Sequence, residues 1–155
     1  METAVEESDS MKIRFRSEKL EVWQEARAAN RVIYKLARNF PGHEMFAMTS
    51  QIRRAIISVS SNIAEGSGRN SDKDFAHFLE QAYGSLMETD SILYLALDES
   101  YLSGADFDPL FAALQTLAKK IASLNRSLNV MTSKTPFTRR GNLALDTRPS
   151  TLDPA

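Results

Sequence analysis

The sequence predicts an all-α domain, an antiparallel up-down-up-down four-helix bundle. Four segments repeat apolar residues every three or four positions, which is the period of a helix with one buried face. Short connections containing Pro or Gly separate most of these segments, and no segment shows the two-residue alternation of a half-buried strand. Because short turns place consecutive helices side by side and reverse the chain, the antiparallel bundle follows.

Composition fits an ordinary globular protein. Of the 155 residues, 43% are apolar and 25% charged, which is enough for one domain with a core of its own. No apolar run approaches the ~18 residues of a membrane span, and the acidic start lacks the pattern of a secretory signal. Cysteine is absent, which excludes disulfides and thiolate metal sites. We expect a cytoplasmic protein with no membrane partner.

The first helix is predicted over about residues 19–39. Its apolar residues are spaced four and three apart, and Pro41-Gly42 ends it. Ser17 is placed to cap its first turn. Residues 1–16 are polar and aperiodic and are predicted to form a flexible arm.

The second helix is predicted over about residues 50–66, at the centre of the bundle. Thr49 or Ser50 is expected to cap it. Gly66 and Gly68 are expected to end it, because glycine readily takes the left-handed conformation at a helix C-terminus. Three apolar side chains of the preceding connection are expected to pack against the end of the bundle: Phe40, Met45 and Phe46.

The third helix is predicted over about residues 72–99. Ser71 and Asp74 have the spacing of a capping box, with Asp in place of the usual Glu. Its apolar seam contains one polar residue, Asp90. Apolar residues cover more of this helix than a lone bundle hides, which predicts a homo-oligomer.

The fourth helix is predicted over about residues 106–131 and has the most regular apolar seam of the chain. Asp106 or Asp108 is expected to cap it, with Pro109 in its first turn. Residues 132–155 are rich in Thr, Pro, Arg and Asp and are predicted to be a disordered tail.

The second and third helices carry more polar residues than their apolar character suggests. We expect six of them to make structural hydrogen bonds that fix the register of the helices, enclosed by this chain and by its sister chains. They are Ser58, Ser61, Asn62, Glu65, Ser85 and Glu88. The alternative is a small-ligand or enzymatic pocket that uses Glu65, Glu88 and His77.

Three motifs in these two helices are specific. They are Gln-Ile-Arg-Arg-Ala at 51–55, Ser-Asn-Ile-Ala-Glu-Gly-Ser-Gly-Arg at 61–69, and Phe-x-x-Phe-Leu-x-x-Ala-x-Gly-Ser-x-x-Glu at 75–88. Together they resemble the four-helix bundle proteins encoded in intervening sequences of bacterial 23S ribosomal RNA genes, over roughly residues 19–129.

The resemblance implies a ring-shaped homopentamer with no known catalytic activity. It also implies a fold similar to that of the accessory protein of diversity-generating retroelements. That protein is a pentameric barrel that binds nucleic acid and a reverse transcriptase through basic surface. The partners implied are therefore other copies of the chain, RNA or DNA, and a protein such as a polymerase.

Charge is segregated between helices. The predicted first helix carries five basic and two acidic residues, and the third carries seven acidic and one basic. Four of these basic residues, Arg27, Arg31, Lys35 and Arg38, form a stripe that can contact phosphates. Alternatively the stripe is a solvated face, or it pairs with the third helix of a neighbouring subunit. The candidate nucleic-acid contacts are Arg27, Arg31, Lys35, Arg38, Arg53, Arg54 and Arg69.

Other chemistry finds little support in the residues. The two histidines, His43 and His77, lack the Glu-x-x-His spacing of a di-iron bundle and are too few for zinc. No nucleophile elbow is present. The Gly-rich stretch before Arg69 either holds a phosphate or simply ends one helix before the next begins. We expect a non-enzymatic interaction scaffold without catalytic residues, metal or cofactor.

Overall fold

A computed structural model describes residues 15–133, with side chains for residues 15–129. This part of the chain forms four α-helices and no strand. The helices are α1 at Glu21–Leu36, α2 at Met48–Ser67, α3 at Asp72–Asp98 and α4 at Gly104–Ser133. The predictions of an arm and a tail fall almost entirely on residues outside the described range.

Each helix packs against two others. α1 lies next to α2 and α4, and α3 lies next to the same two, whereas in the described range no Cα atoms of α1 and α3, or of α2 and α4, come within 8 Å of each other. All four helices contribute to a single apolar core, with fully buried Ile33, Ile56, Leu79 and Leu117 among its side chains. Between residues 15 and 133, no helix is both long and apolar enough to cross a bilayer.

The start of α1 differs from the prediction. Ser17 lies in a short 3₁₀ helix at Arg16–Lys19 and is buried, so it does not cap α1. Leu20 occupies the N-cap position and makes no side-chain capping hydrogen bond. The helix therefore begins two residues later than predicted, because the preceding 3₁₀ turn already satisfies the local backbone groups.

The start of α2 also differs. The helix begins at Met48, so Thr49 and Ser50 lie inside it and neither caps it. The carboxylate of Glu44 accepts a hydrogen bond from the Met48 amide at 3.2 Å, which supplies the missing acceptor from one turn earlier.

Gly66 is required for packing and does not end the helix. α2 continues to Ser67, and Gly68 follows it in a right-handed conformation with φ −86°. The expected left-handed stop is therefore wrong. A Cβ on Gly66 would lie 2.6 Å from Phe78 Cβ and 2.8 Å from Phe75 Cδ2, so α2 and α3 approach each other where only glycine fits.

The capping interaction at the start of α3 is as predicted. The amide of Asp74 donates to Ser71 Oγ at 3.1 Å, and the Ser71 hydroxyl donates to the Asp74 carboxylate at 2.6 Å. This arrangement satisfies one of the free amides in the first turn of α3.

A second cap of this kind begins α4 and was missed. The amide of Asp106 donates to Ser103 Oγ at 3.1 Å, so Asp106 is the third residue of the helix and Asp108 lies further inside. Pro109 consequently lies in the second turn rather than the first. The two aspartates were predicted as caps and Ser103 was not, because spacing alone does not identify the cap among nearby Ser and Asp residues.

The connection between α1 and α2 packs only in part. Phe40 is buried, but Met45 and Phe46 are 56% and 93% exposed, which contradicts the prediction for these two. In their place Glu44 meets the bundle end, where it accepts a hydrogen bond from the Tyr101 hydroxyl at 3.3 Å.

Candidate nucleic-acid interface

A concave basic surface lies between α1 and α2, and we call it the α1–α2 concavity. It encloses about 400 Å³. Its lining residues are Asn30, Arg31, Tyr34, Lys35, Arg38 and Ile57. The three cations among them are exposed, whereas Tyr34 and Asn30 are partly buried.

The helical period of α1 explains this placement. Ala29 and Ile33 face the core and are buried. Arg31 and Lys35 lie one turn apart on the opposite, exposed side of α1. Arg38 follows in a short 3₁₀ helix at Ala37–Asn39 and lines the same concavity. The sequence therefore places the stripe where phosphates can reach it.

Two buried polar atoms without a partner lie at or beside the concavity. Arg53 of α2 lines a neighbouring pocket that shares Arg38 with the concavity. Its guanidinium lies 5.3 Å from the Tyr34 ring centre, and its Nε is buried without an acceptor. Asn30 donates to Ser60 Oγ at 2.8 Å, but its Oδ1 is buried without a donor. Unpaired buried donors and acceptors cost free energy, so they favour a ligand that supplies the missing bond.

The cations of the concavity and the neighbouring Arg53 are not neutralised by the described chain. No carboxylate there forms a salt bridge with Arg31, Lys35, Arg38 or Arg53. The positive potential of this surface is therefore available to an anion.

The two acidic residues of α1 point away from the stripe. Glu21 and Glu25 both accept hydrogen bonds from Lys120 of α4. The hydrogen bond and the charge of Lys120 lower the pKa of Glu21, and the two carboxylates raise the pKa of Lys120. These groups tie α1 to α4 and leave the basic side of α1 without a counter-charge.

The other three candidate cations are distributed differently. Arg27 is exposed on α1 with its guanidinium 5.7 Å from the Trp23 ring centre, and Arg54 is exposed on α2. Arg69 lies beyond the far end of α2, where it pairs with Glu65 and lies 4.6 Å from the Phe78 ring centre. The structure therefore separates Arg69 from the basic surface that the sequence grouped it with.

Three of the six predicted structural polar residues link or brace helices. Ser58 of α2 and Ser85 of α3 share a hydrogen bond of 2.8 Å. Asn62 donates to the Ser58 carbonyl at 2.8 Å and to the Ser58 hydroxyl at 3.0 Å. All three are partly buried.

The other three lie at the surface of the chain, so its own helices do not enclose them. Ser61 is exposed, and so are Glu65 and Glu88. Glu65 pairs with Arg69, and Glu88 accepts a hydrogen bond from Gln51. Their enclosure was predicted to involve sister chains as well, so it stays a prediction.

The three residues of the alternative small-ligand or enzymatic pocket, Glu65, Glu88 and His77, do not lie together. His77 is exposed and contacts Gln81 at 3.0 Å, while Glu65 and Glu88 have partners of their own, so the three do not converge in an enclosed pocket. Between residues 15 and 129, no group of three or more His, Asp or Glu side chains lies close enough to hold a metal ion. The Gly-rich stretch does not present a free Arg69 to a phosphate.

Sequence reasoning found the stripe of α1 and missed Tyr34 beside it. Tyr34 lies three residues after Arg31 and four before Arg38, which is the spacing of neighbours on a helix surface. That spacing was a usable signal. The partnership of Tyr34 with Arg53 depends on how α1 and α2 pack, and no local pattern gives it.

Over residues 15–133 the fold and this surface define the class: an all-helical chain of four α-helices with an exposed basic groove. The chain belongs to the 23S rRNA-intervening sequence protein family, whose sequence profile matches residues 18–123. The family membership predicted from the three motifs is thereby confirmed.

The fold is similar to that of a solved protein. This is the crystal structure of a protein with unknown function from the S23 ribosomal protein family of Bacteroides thetaiotaomicron VPI-5482. The TM-score is 0.63 at 23% identity, over 68% of this chain and 95% of that chain. At this identity the likeness concerns the fold alone. A search of curated proteins finds no match.

Proposed function

We propose that this protein is a non-enzymatic, homo-oligomeric scaffold that binds RNA or DNA through the α1–α2 concavity. The observation that carries the proposal is the three cations that line the concavity, Arg31, Lys35 and Arg38. Neither these three nor Arg53, whose guanidinium lies beside Tyr34, has a carboxylate partner in the described chain. Phosphate oxygens are the acceptors that such a group lacks.

The chemistry of the concavity favours the nucleic-acid backbone over base sequence. Arginine binds phosphate in a two-pronged geometry, and each neutralised phosphate releases condensed counterions. Tyr34 is half-buried beneath Arg53, so no row of exposed aromatic rings is available for reading bases here. We therefore expect strong salt dependence and weak sequence preference.

The proposed assembly is an up-down-up-down bundle in a ring, with five copies implied by the family resemblance. Two contacts between α2 and α3 support the antiparallel topology: Ser58 lies against Ser85, and Gly66 lies against Phe78. Residue numbers increase along α2 while those of their partners decrease along α3. A ring repeats the concavity, so several weak phosphate contacts add to one tight interaction.

Exposed apolar surface supports self-association. Large apolar side chains are exposed on the connection and on α3, among them Phe46 at 93% and Leu95 at 52%. A groove of about 750 Å³ between α1 and α4 is largely apolar, with Val32 and Ala113 in its lining. In this proposal a second copy covers these surfaces.

The nucleic-acid part is tested by charge reversal. The Arg31→Glu plus Lys35→Glu variant is compared with a Lys19→Glu plus Lys73→Glu control, which changes the net charge equally at exposed sites outside the concavity. Electrophoretic mobility shifts with structured RNA, single-stranded DNA and duplex DNA should show weaker binding for the first variant only. An equal loss of affinity in both variants would mean that only the net charge of the protein matters. No binding by the wild type at low salt would contradict the proposal.

The second candidate function is an accessory subunit for a protein partner such as a polymerase. Its supporting observation is Phe46, an aromatic side chain held almost wholly in solvent by a hydrogen-bonded connection. Sedimentation equilibrium of the wild type and of Phe46→Ser distinguishes the two roles. If Phe46→Ser dissociates the oligomer, the side chain contributes to self-assembly. If the mass of the assembly is unchanged, the side chain is available to a different partner.

A further inference from the structure

A second groove, between α3 and α4, has the features of a small-ligand site. It encloses about 420 Å³, within the range of ligand pockets in proteins. Apolar residues form most of the lining, and Leu86 and Leu114 lie at its buried base. The groove lies between a different pair of helices from the α1–α2 concavity.

One carboxylate sits inside this groove without a partner. Asp90 is the polar exception in the apolar seam of α3, and its Oδ1 is buried with no hydrogen-bond donor in the described protein. Burial raises the pKa of this carboxyl, as expected where water is replaced by apolar neighbours. The oxygen therefore favours a ligand that brings its own N–H or O–H donor.

Aromatic and thioether side chains from both helices line the groove. Tyr83 and Met87 line the groove and remain 40% and 41% exposed. Phe111 faces them from α4, held by stacking on Phe107 with ring centres 5.4 Å apart and by an edge contact with Tyr94 at 5.8 Å. A planar ring that enters the groove would find faces to stack on.

The rim carries positive charge. Lys119 and Arg126 both line the groove, are exposed and form no salt bridge in the described chain. They lie seven residues apart on α4, or about 10 Å along the helix. These two cations therefore attract a ligand whose anionic group extends to the rim while its planar ring lies inside the groove.

We propose that the α3–α4 groove binds an unpaired purine nucleotide, with base N–H groups donating to Asp90, the ring between Tyr83 and Phe111, and the phosphate at Lys119. A purely apolar ligand leaves the Asp90 oxygen unpaired, and a polyamine is repelled by the two rim cations. Inorganic phosphate makes no use of the carboxylate. Guanine suits the site best, because its N1–H and amino group offer two parallel donors to one carboxylate.

The test is calorimetric titration of the full-length protein with GMP, AMP, guanosine and inorganic phosphate. GMP is expected to bind saturably and more tightly than AMP, and phosphate alone is expected not to displace it. Asp90→Asn should weaken GMP by at least about tenfold, since the new amide places a donor against the donors of the base. Asp98→Asn, which changes an exposed carboxylate at the C-terminal end of the same helix and outside the groove, should leave GMP binding unchanged.

A second variant separates phosphate from base recognition. Lys119→Glu should weaken GMP while leaving guanosine unaffected, and it keeps the proposal testable if Asp90→Asn fails to fold. GMP binding that is absent in the wild type, or that Asp90→Asn retains at full strength, overturns the inference. The Arg31→Glu plus Lys35→Glu variant should bind GMP normally, so failure here and failure of the α1–α2 concavity are distinguishable.

Discussion

Gly66→Ala should destabilise the fold by about 1–3 kcal/mol, although Ala is the better helix former. The added Cβ would lie 2.6 Å from Phe78 Cβ and 2.8 Å from Phe75 Cδ2, both closer than real Cβ contacts allow. Phe78 Cβ is attached directly to the backbone of α3, so it cannot rotate away as a side-chain tip would. The helices must separate instead, and overpacking of this kind costs about 1–3 kcal/mol.

Gly84→Ala is the matched control. A Cβ there meets nothing within 4 Å, and Gly84 lies inside α3. The same substitution should therefore stabilise the chain by about 0.5–1 kcal/mol through helix propensity and the unfolded state.

Urea denaturation followed by circular dichroism measures both variants at one protein concentration. Opposite signs of the change in unfolding free energy are expected for Gly66→Ala and Gly84→Ala. A Gly66→Ala protein as stable as the wild type would refute the close approach of α2 and α3 at this point, and with it the packing that positions Ser71 and the start of α3.

Three further predictions concern the helix ends and surface. Ser71→Ala should cost about 0.5–2 kcal/mol in urea denaturation, because the Asp74 amide loses its acceptor; no loss would mean that the cap contributes nothing. Lys120→Met should reduce the loss of stability that occurs as the pH is lowered. Lys120 lowers the pKa of Glu21 in the folded state, so the stabilisation from this pair is present above the ordinary pKa of Glu and disappears as the pH falls through the folded-state pKa. If thermal melts from pH 7 to about pH 3 show the same loss of stability in the wild type and in Lys120→Met, the pairing is contradicted. Phe46→Ser should change the unfolding free energy of the single chain by less than about 0.5 kcal/mol, since the ring is 93% exposed; a larger loss in the dissociated state would show that it packs.

The four helices were predictable because their apolar period is long and regular. In α4 the residues spaced three and four apart are the ones that pack inward, with Leu114, Leu117 and Ile121 all buried. Periodicity gives the direction of a side chain on a helix. It gives no such direction in a connection, which is why the exposure of Met45 and Phe46 could not be anticipated.

Helix ends were less predictable because several residues can serve as caps. Ser71 was identified correctly, since a glycine-containing stretch precedes it and Asp74 follows at the right spacing. At α4 the actual cap is Ser103, three residues before the predicted start, because Gly104 and Ala105 extend the helix backwards. Choosing between such candidates requires the three-dimensional path of the preceding turn.

The candidate site divides in the same way. The stripe of Arg31, Lys35 and Arg38 follows from one helix and was predicted. The unpaired atoms of Asn30 and Arg53 depend on the relative placement of α1 and α2, which a single sequence does not specify. Asp90 was noticed as a polar exception, but its isolation among apolar neighbours became evident only in the folded chain.

The most direct test of the central claim is the salt dependence of nucleic-acid binding. The observed affinity for one structured RNA is measured at several salt concentrations, for the wild type and for Arg31→Glu plus Lys35→Glu. Phosphate contacts in the α1–α2 concavity predict a steep negative slope of log affinity against log salt for the wild type. The slope should be shallower by about 1.4–1.8 in the variant, because two cations no longer release counterions. An identical slope in both proteins would contradict the assignment of this surface.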